Sequence, residues 1–142
     1  MPFHYLYVPA KTQRRHLLPI RMHLPSVDAY LVYDGGCGVC TLAKRIVKAL
    51  DWRGRIRPVA LQDPESARLL AAMGESARRS SFHFVANGKT ASGGDGVLEM
   101  LGALPIGGGI PRLAAETPAL RDASERLYDL IRTVRDRLAC AL

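Results

Sequence analysis

A chain of 142 residues with a hydrophobic fraction of 48% is one ordinary globular domain, large enough for a real core. It holds no apolar run of the ~20 residues that cross a bilayer, so no membrane span is expected. The net charge of +7 comes without base-stacking aromatics, a clustered basic face or a known nucleic-acid motif, which argues against a nucleic-acid partner.

Residues 1–27 read as an N-terminal extension, followed by a domain over 28–142. Lys11, Arg14, Arg15 and Arg21, with no acid among them, supply +4 of the net charge. Pro2, Pro9, Pro19 and Pro25 break any long element there, although Tyr5-Leu6-Tyr7-Val8 could form a short strand. No apolar stretch follows the charges, so the segment does not read as a secretory signal. Its Arg-bearing, acid-free composition is shared with organelle transit peptides. The preferred readings are plainer: a loose tail, or an upstream mis-start with Met22 as the alternative initiator.

The domain opens with a strand over residues 29–33, apolar on both faces and so central in a sheet. Asp34-Gly35-Gly36-Cys37-Gly38-Val39-Cys40 follows. A helix is expected over 41–50, with Leu42, Ile46, Val47 and Leu50 buried and Lys44, Arg45 and Lys48 outside. Asp51-Trp52-Arg53-Gly54 ends it, and a second strand runs over 56–61. So compact a strand–helix–strand unit is expected to be parallel and right-handed.

Asp63 and Pro64 mark the N-cap and first residue of the next helix, with Leu69, Leu70 and Met73 as its buried stripe and Gly74 as its stop. A third strand is expected over 81–86. Asn87-Gly88 is a two-residue hairpin signal, and Lys89 to Ser92 returns as the fourth strand. Asp95 is read as the N-cap of a helix to about Leu104. Residues 105–111 read as a flexible connector; their three consecutive glycines lack the Lys-Ser/Thr of a phosphate-binding loop. Thr117-Pro118 opens the last helix, where Leu120, Leu127, Leu130/Ile131, Val134 and Leu138 form the expected core stripe. Arg121, Arg126, Arg132, Arg135 and Arg137 are read as its solvated side.

The chemistry centres on Cys37-Gly38-Val39-Cys40. A Cys-x-x-Cys pair at a strand-to-helix junction is a site for thiol–disulfide chemistry. The unpaired N–H groups and positive dipole end of a helix N-terminus favour a thiolate, which is the nucleophile. Cys37 is therefore the candidate nucleophile and Cys40, nearly one turn on, the more shielded resolving thiol. A disulfide across so short a loop contributes little stability, so a bond here is one to be made and broken. Three cysteines form no disulfide framework and suit a reducing cytoplasm, with Cys140 left over. Cys140 is read as an inert, buried residue; the alternative is an exposed thiol open to glutathione or dimer formation.

Asp34 leaves alternatives open. Its charge near Cys37 opposes thiolate formation. It could accept the Cys40 proton through water, cap the turn, or simply suit a tight Asp-Gly-Gly turn. Gly35 and Gly36 are expected to permit unusual backbone angles and leave the sulfur uncovered. Gly38 and Val39 would help set the reduction potential.

Tyr33-Asp34-Gly35-Gly36-Cys37-Gly38-Val39-Cys40 resembles the Asp-x-x-Cys-x-x-Cys signature of the DCC family of predicted thiol–disulfide oxidoreductases. The likeness extends over residues 29–140. Residues 55–62 are similar to the family's second strand, residues 81–98 to its later hairpin and helix, and Tyr128-Asp129-Leu130-Ile131 with Arg135-Asp136-Arg137 to its C-terminal helix. The resemblance implies a thioredoxin-like α/β fold, a central mixed four-stranded sheet flanked by helices, with an extra C-terminal helix. The order of elements read from the chain agrees with that core. One departure is Ser81, where thioredoxins open the strand with a proline.

The resemblance also implies a disulfide-containing or dithiol protein, or a small thiol such as glutathione, as partner. No organic cofactor is implied, because the sulfurs hold the electrons. The rival reading is a non-catalytic binding or metal-binding protein on the same fold. Structural zinc takes four ligands, so Cys37 and Cys40 would need two more from Cys140, His83, His4, His16 and His23. His83 lies mid-strand, where a packed or exposed histidine is the plainer reading. A Ser/His/Asp set, a paired general acid and base, and a dinucleotide fingerprint are not evident.

Overall fold

The computed structural model describes residues 27–139. The expectations for the N-terminal extension, Met22 and Cys140 lie outside the described residues. The strands are β1 (Ala29–Tyr33), β2 (Ile56–Ala60), β3 (His83–Ala86) and β4 (Lys89–Ser92). They form one sheet in the order β2-β1-β3-β4. β1 runs parallel to β2, in register from Ala29 with Ile56 to Tyr33 with Ala60, and antiparallel to β3. β3 and β4 make the antiparallel hairpin. The helices are α1 (Gly38–Leu50), α2 (Pro64–Leu69), α3 (Glu75–Ser80), α4 (Gly93–Ala103), α5 (Ile110–Glu116) and α6 (Pro118–Ala139). A parallel βαβ half joined to an antiparallel hairpin half is the thioredoxin-like arrangement, here with an additional C-terminal helix.

Alternation along β1 divides the core. Ala29 and Leu31 join Val47, Ile56, Phe84 and Leu104 on one face; Val32 joins Leu70 and Val85 on the other. β2 is an edge strand, which accommodates Pro58 without loss of a ladder donor. Asn87 (φ 51°) and Gly88 (φ 71°) both lie in the left-handed region that a two-residue hairpin of matching twist requires. Asp63 caps α2 by accepting the Glu65 N–H at 2.9 Å, with Pro64 at the first helical position.

Several expectations are corrected. Val47 is the buried residue of α1, whereas Leu42 (59% exposed), Ile46 (52%) and Leu50 are exposed, and Lys44 is half-buried over the Tyr33 ring. The cause is angular. At 100° per residue, Cys40, Lys44 and Val47 share one side, and Leu42 and Ile46 lie opposite Cys40. Once Cys40 faces inward, the more apolar stripe faces out. The helix also begins earlier than residue 41, because Cys37 is its N-cap.

The stretch after residue 69 is not one helix ending at Gly74. α2 closes at Leu69, and Gly74 is instead the N-cap of α3. β3 is shorter than residues 81–86, since Ser81 and Phe82 precede it. Ser92, not Asp95, is the N-cap of α4. Asp95 sits in the first turn and receives two hydrogen bonds from Arg121, at 2.9 and 2.7 Å. Residues 105–111 are not loose. Gly107 donates to the Leu104 carbonyl at 3.0 Å, a Cβ at Gly107 would strike the Leu101 carbonyl, and α5 begins at Ile110.

α6 is also rotated away from its expected setting. Leu127, Leu130, Ile131, Val134 and Leu138 are exposed, and the inward positions are Leu120, Ser124, Tyr128 and Arg135. Close contact with α4 sets this rotation. A Cβ on Gly94 would lie 2.7 Å from the Glu125 nitrogen and 2.8 Å from its Cα, and Ser124 is buried beside it. Two backbones approach this closely only where side chains are small. Gly94 N–H donates to Glu125 Oε2 at 3.3 Å, and the Asp95–Arg121 pair fixes the next turn.

His83 is a packed residue, 1% exposed, with Nε2 2.9 Å from the Arg78 carbonyl and Nδ1 2.6 Å from Ser92 Oγ. A carbonyl only accepts, so Nε2 carries the hydrogen and Nδ1 accepts from the hydroxyl.

Gly94→Ala is expected to push α6 off α4 and cost about 1–3 kcal/mol, read as a lowered urea midpoint. His83 gives a pH dependence. Burial lowers its affinity for a proton, partly offset by its backbone hydrogen bonds. The unfolded imidazole protonates near pH ~6.5 and the folded one only below that. Between those two points the unfolded chain binds more protons, so stability is lost as pH falls below about 6.5. Urea unfolding at neutral and mildly acidic pH should show this loss, and His83→Gln should reduce it.

Candidate active site

β1 delivers the chain at Tyr33 to a tight turn, and α1 begins five residues later at Gly38. The turn closes through the Cys37 N–H on the Asp34 carbonyl at 3.3 Å. Asp34 Oδ1 accepts from the Gly36 N–H at 2.9 Å, the two-residue bond that Asp makes in turns. The same oxygen accepts from Gln62 Nε2 at 2.8 Å, while Gln62 Oε1 accepts from the Gly35 N–H at 3.1 Å. Both ends of one amide side chain thus hold the turn.

Gly35 is closely fitted here. A Cβ would lie 3.0 Å from Gln62 Oε1 and 3.4 Å from the Ala60 Cβ. Neither Gly35 nor Gly36 has a positive φ, which corrects the expectation of unusual backbone angles. Outside Gly38 is open space, so nothing crowds the residue after Cys37.

Cys37 is the N-cap of α1, with extended φ and ψ of −99° and 120°. Its carbonyl accepts the Thr41 N–H at 2.9 Å, and its Sγ accepts the Cys40 N–H at 3.4 Å. A sulfur in this position occupies the place of the usual oxygen cap, at the positive end of the helix. Both cysteines are free thiols and both are half-buried. They differ in surroundings. The Cys40 thiol is pushed up to about 11, chiefly by burial, then by its hydrogen bond to the Cys37 sulfur and the charge there. Arg135 works in the opposite direction, and Asp34 adds a smaller upward push. Cys40 therefore keeps its proton at neutral pH.

Beside Cys40 lies an apolar cavity of about 180 Å³ between β1, α1, α4 and α6. Leu31, Val39, Val47, Phe82, Met100 and Ile131 are among its apolar lining; Lys44, Tyr128, Arg132 and Arg135 also line it. The Phe82 and Tyr128 rings meet at 5.6 Å between centroids, tilted by 57°. A larger concavity of about 870 Å³ lies by the β3–β4 hairpin, α4 and α5, and no cysteine lines it.

The structure brings Cys37, Cys40 and Asp34 together in one turn. It adds Gln62 and Arg135, to which the sequence reading gave no role at the site. A signal for Gln62 was available: it follows the end of β2, and adjacent parallel strands deliver their C-terminal ends to the same edge of the sheet. No comparable signal marked Arg135, because its place depends on the rotation of α6. Among the described residues, no group of three His, Cys, Asp or Glu could hold a metal ion. His83 has both nitrogens committed elsewhere, and His4, His16, His23 and Cys140 lie outside the described residues. No described helix is long and apolar enough to cross a membrane.

A thioredoxin-like fold with a capped Cys-x-x-Cys turn defines the thiol–disulfide oxidoreductase class. The chain belongs to the DCC1-like thiol-disulfide oxidoreductase family, whose model matches residues 31–141. No curated protein and no solved structure matches it.

Gln62→Ala removes both amide bonds and is expected to cost about 1–2 kcal/mol, with faster hydrogen exchange at the Gly35 N–H. Asp34→Asn keeps an oxygen for the Gly36 N–H and Asp34→Ala does not. In urea unfolding the alanine variant should lose about 1 kcal/mol more than the asparagine variant.

Proposed function

We propose that this protein exchanges a dithiol for a disulfide with a partner through Cys37 and Cys40. The carrying observation is the sulfur cap: Cys37 Sγ accepts the Cys40 N–H at the start of α1, while Cys40 is half-buried and retains its proton. The first sulfur stands at the positive end of the helix, while burial disfavours negative charge on the second.

The Cys37 thiolate attacks one sulfur of a partner disulfide. The partner's S–S bond breaks, its second sulfur leaves as a thiolate, and a mixed disulfide forms. Cys40 then loses its proton to solvent and attacks Cys37 Sγ. The partner's remaining sulfur leaves as a thiolate, and the two released thiolates take up two protons from water. Two electrons pass from the protein dithiol to the partner. Run backwards, the same steps oxidise a partner dithiol. The partner is a disulfide-bearing or dithiol protein, or a small thiol such as glutathione, and the cysteine usage suits a reducing cytoplasm.

In this reading Asp34 is a positioning group. Its Oδ1 is engaged by Gly36 and Gln62, and these bonds fix the turn that presents Cys37. The open surface around Gly38 leaves a path for an incoming disulfide.

A redox titration in glutathione buffers, with thiols read by alkylation and mass spectrometry, tests the proposal. Cys37 and Cys40 are expected to change together as one two-electron couple. Cys37→Ser should abolish exchange, and Cys40→Ser should accumulate a mixed disulfide on Cys37. Unreactive cysteines across the titration, or zinc released only on denaturation, would replace this reading with a binding or metal role. Asp34→Asn should retain most of the exchange rate, as a positioning role requires.

A further inference from the structure

We propose that Arg135 of α6 is the electrostatic partner of Cys40, stabilising its thiolate as it resolves the mixed disulfide. The proposal rests on the exchange reaction proposed above. It assigns a third participant, nearly one hundred residues along the chain from the cysteine pair.

The first observation is place. Cys40 and Arg135 line the same cavity, whose remaining wall is mostly apolar. Water screens a charge pair weakly in such a setting. The second is the exposure of α6. Across residues 131–138, Arg135 alone is half-buried; Val134 and Leu138 are exposed, and the partly exposed Ile131 lines the same cavity. The helix is clamped to α4 through Gly94, Glu125 and the Asp95–Arg121 pair, and that setting places Arg135 on the cavity that Cys40 lines.

The third observation is the remaining charge around Cys40. From the turn come Asp34, which opposes a Cys40 thiolate, and Cys37, which opposes it in the free dithiol but carries no charge once bound in the mixed disulfide. From β1 comes Tyr33. From α1 comes Lys44, whose ammonium stands 5.3 Å above the Tyr33 ring. From α6 come Tyr128, the exposed Arg132, and Arg135. Arg135 is held in place by two hydrogen bonds to Asp136 Oδ1, at 3.1 and 3.0 Å. It is the cation that lowers the cost of ionising Cys40.

The guanidinium accepts no proton. The Cys40 proton goes to water, and Arg135 stabilises the negative sulfur left behind. That sulfur forms the bond to Cys37 Sγ as the bond to the partner sulfur breaks. Without the cation, less Cys40 is thiolate at a given pH. A tenfold loss of thiolate is offset about threefold by the greater nucleophilicity of the more basic sulfur, so resolution should slow by about threefold.

The test uses the full chain in a Cys140→Ser background and the neutral disulfide dithiodipyridine. Attack by Cys37 releases one thiopyridone, and resolution by Cys40 releases the second. Stopped-flow absorbance separates the two phases. Arg135→Gln is expected to leave the first phase unchanged, to slow the second by about threefold, and to move its pH profile to higher pH. Arg135→Lys should restore most of the rate, since it keeps the charge. Two normal phases in Arg135→Gln with an unmoved profile would overturn the proposal. So would equal slowing of both phases without rescue by lysine, which would make Arg135 merely structural. A wild-type chain that releases only one thiopyridone would remove the exchange reading itself, and this inference with it.

Discussion

With Cys37 as its cap, α1 has one rotation that points Cys40 at the sheet, and that rotation governs what surrounds it. Cys40, Lys44 and Val47 turn inward; Leu42 and Ile46 turn out. The apolar contact given up is substantial, since a buried Leu or Ile contributes about 1.5–3 kcal/mol relative to an exposed one. The hydrogen bond from the Cys40 N–H to Cys37 Sγ and the half-burial of Cys40 arise in its place. The helix is set by the chemistry at its start more than by the hydrophobic content of its middle.

The second helix that departs from its apolar pattern is α6, and the departure has the same direction. Of the expected stripe only Leu120 is among its inward positions, which otherwise are Ser124, Tyr128 and Arg135. The close approach at Gly94 and the bidentate Asp95–Arg121 pair hold it. Tyr128 then reaches Phe82, just before β3, so α6 closes over the end of the sheet that bears the cysteines. Two helices that expose apolar residues thus meet around one small cavity, with a cysteine on one and an arginine on the other.

The strands and turns were legible in the chain because their signals are local. Residues 29–33 and 89–92, the Asn87-Gly88 hairpin and the Asp63-Pro64 start each follow from two or three neighbouring residues. The Cys-x-x-Cys turn was legible for the same reason. What could not be read was helix rotation. Periodicity assigns the apolar face to the core, but α1 and α6 are oriented by a sulfur cap and by a glycine contact between distant segments. The short helices α3 and α5 were missed because one or two turns carry too little pattern. Arg135 reaches the site only through the setting of α6, whereas Gln62 is carried there by the end of β2, beside the end of β1.

The edges of the sheet have a consequence of their own. β2 bounds one side, and Pro58 at its centre offers no N–H to an incoming chain. β4 bounds the other with only four residues, beginning at the exposed Lys89. A fifth strand therefore finds an interrupted ladder on one side and a short, charged one on the other. Among the described residues, growth of the sheet by strand addition, the route to edge-to-edge aggregates, is thus obstructed at both ends.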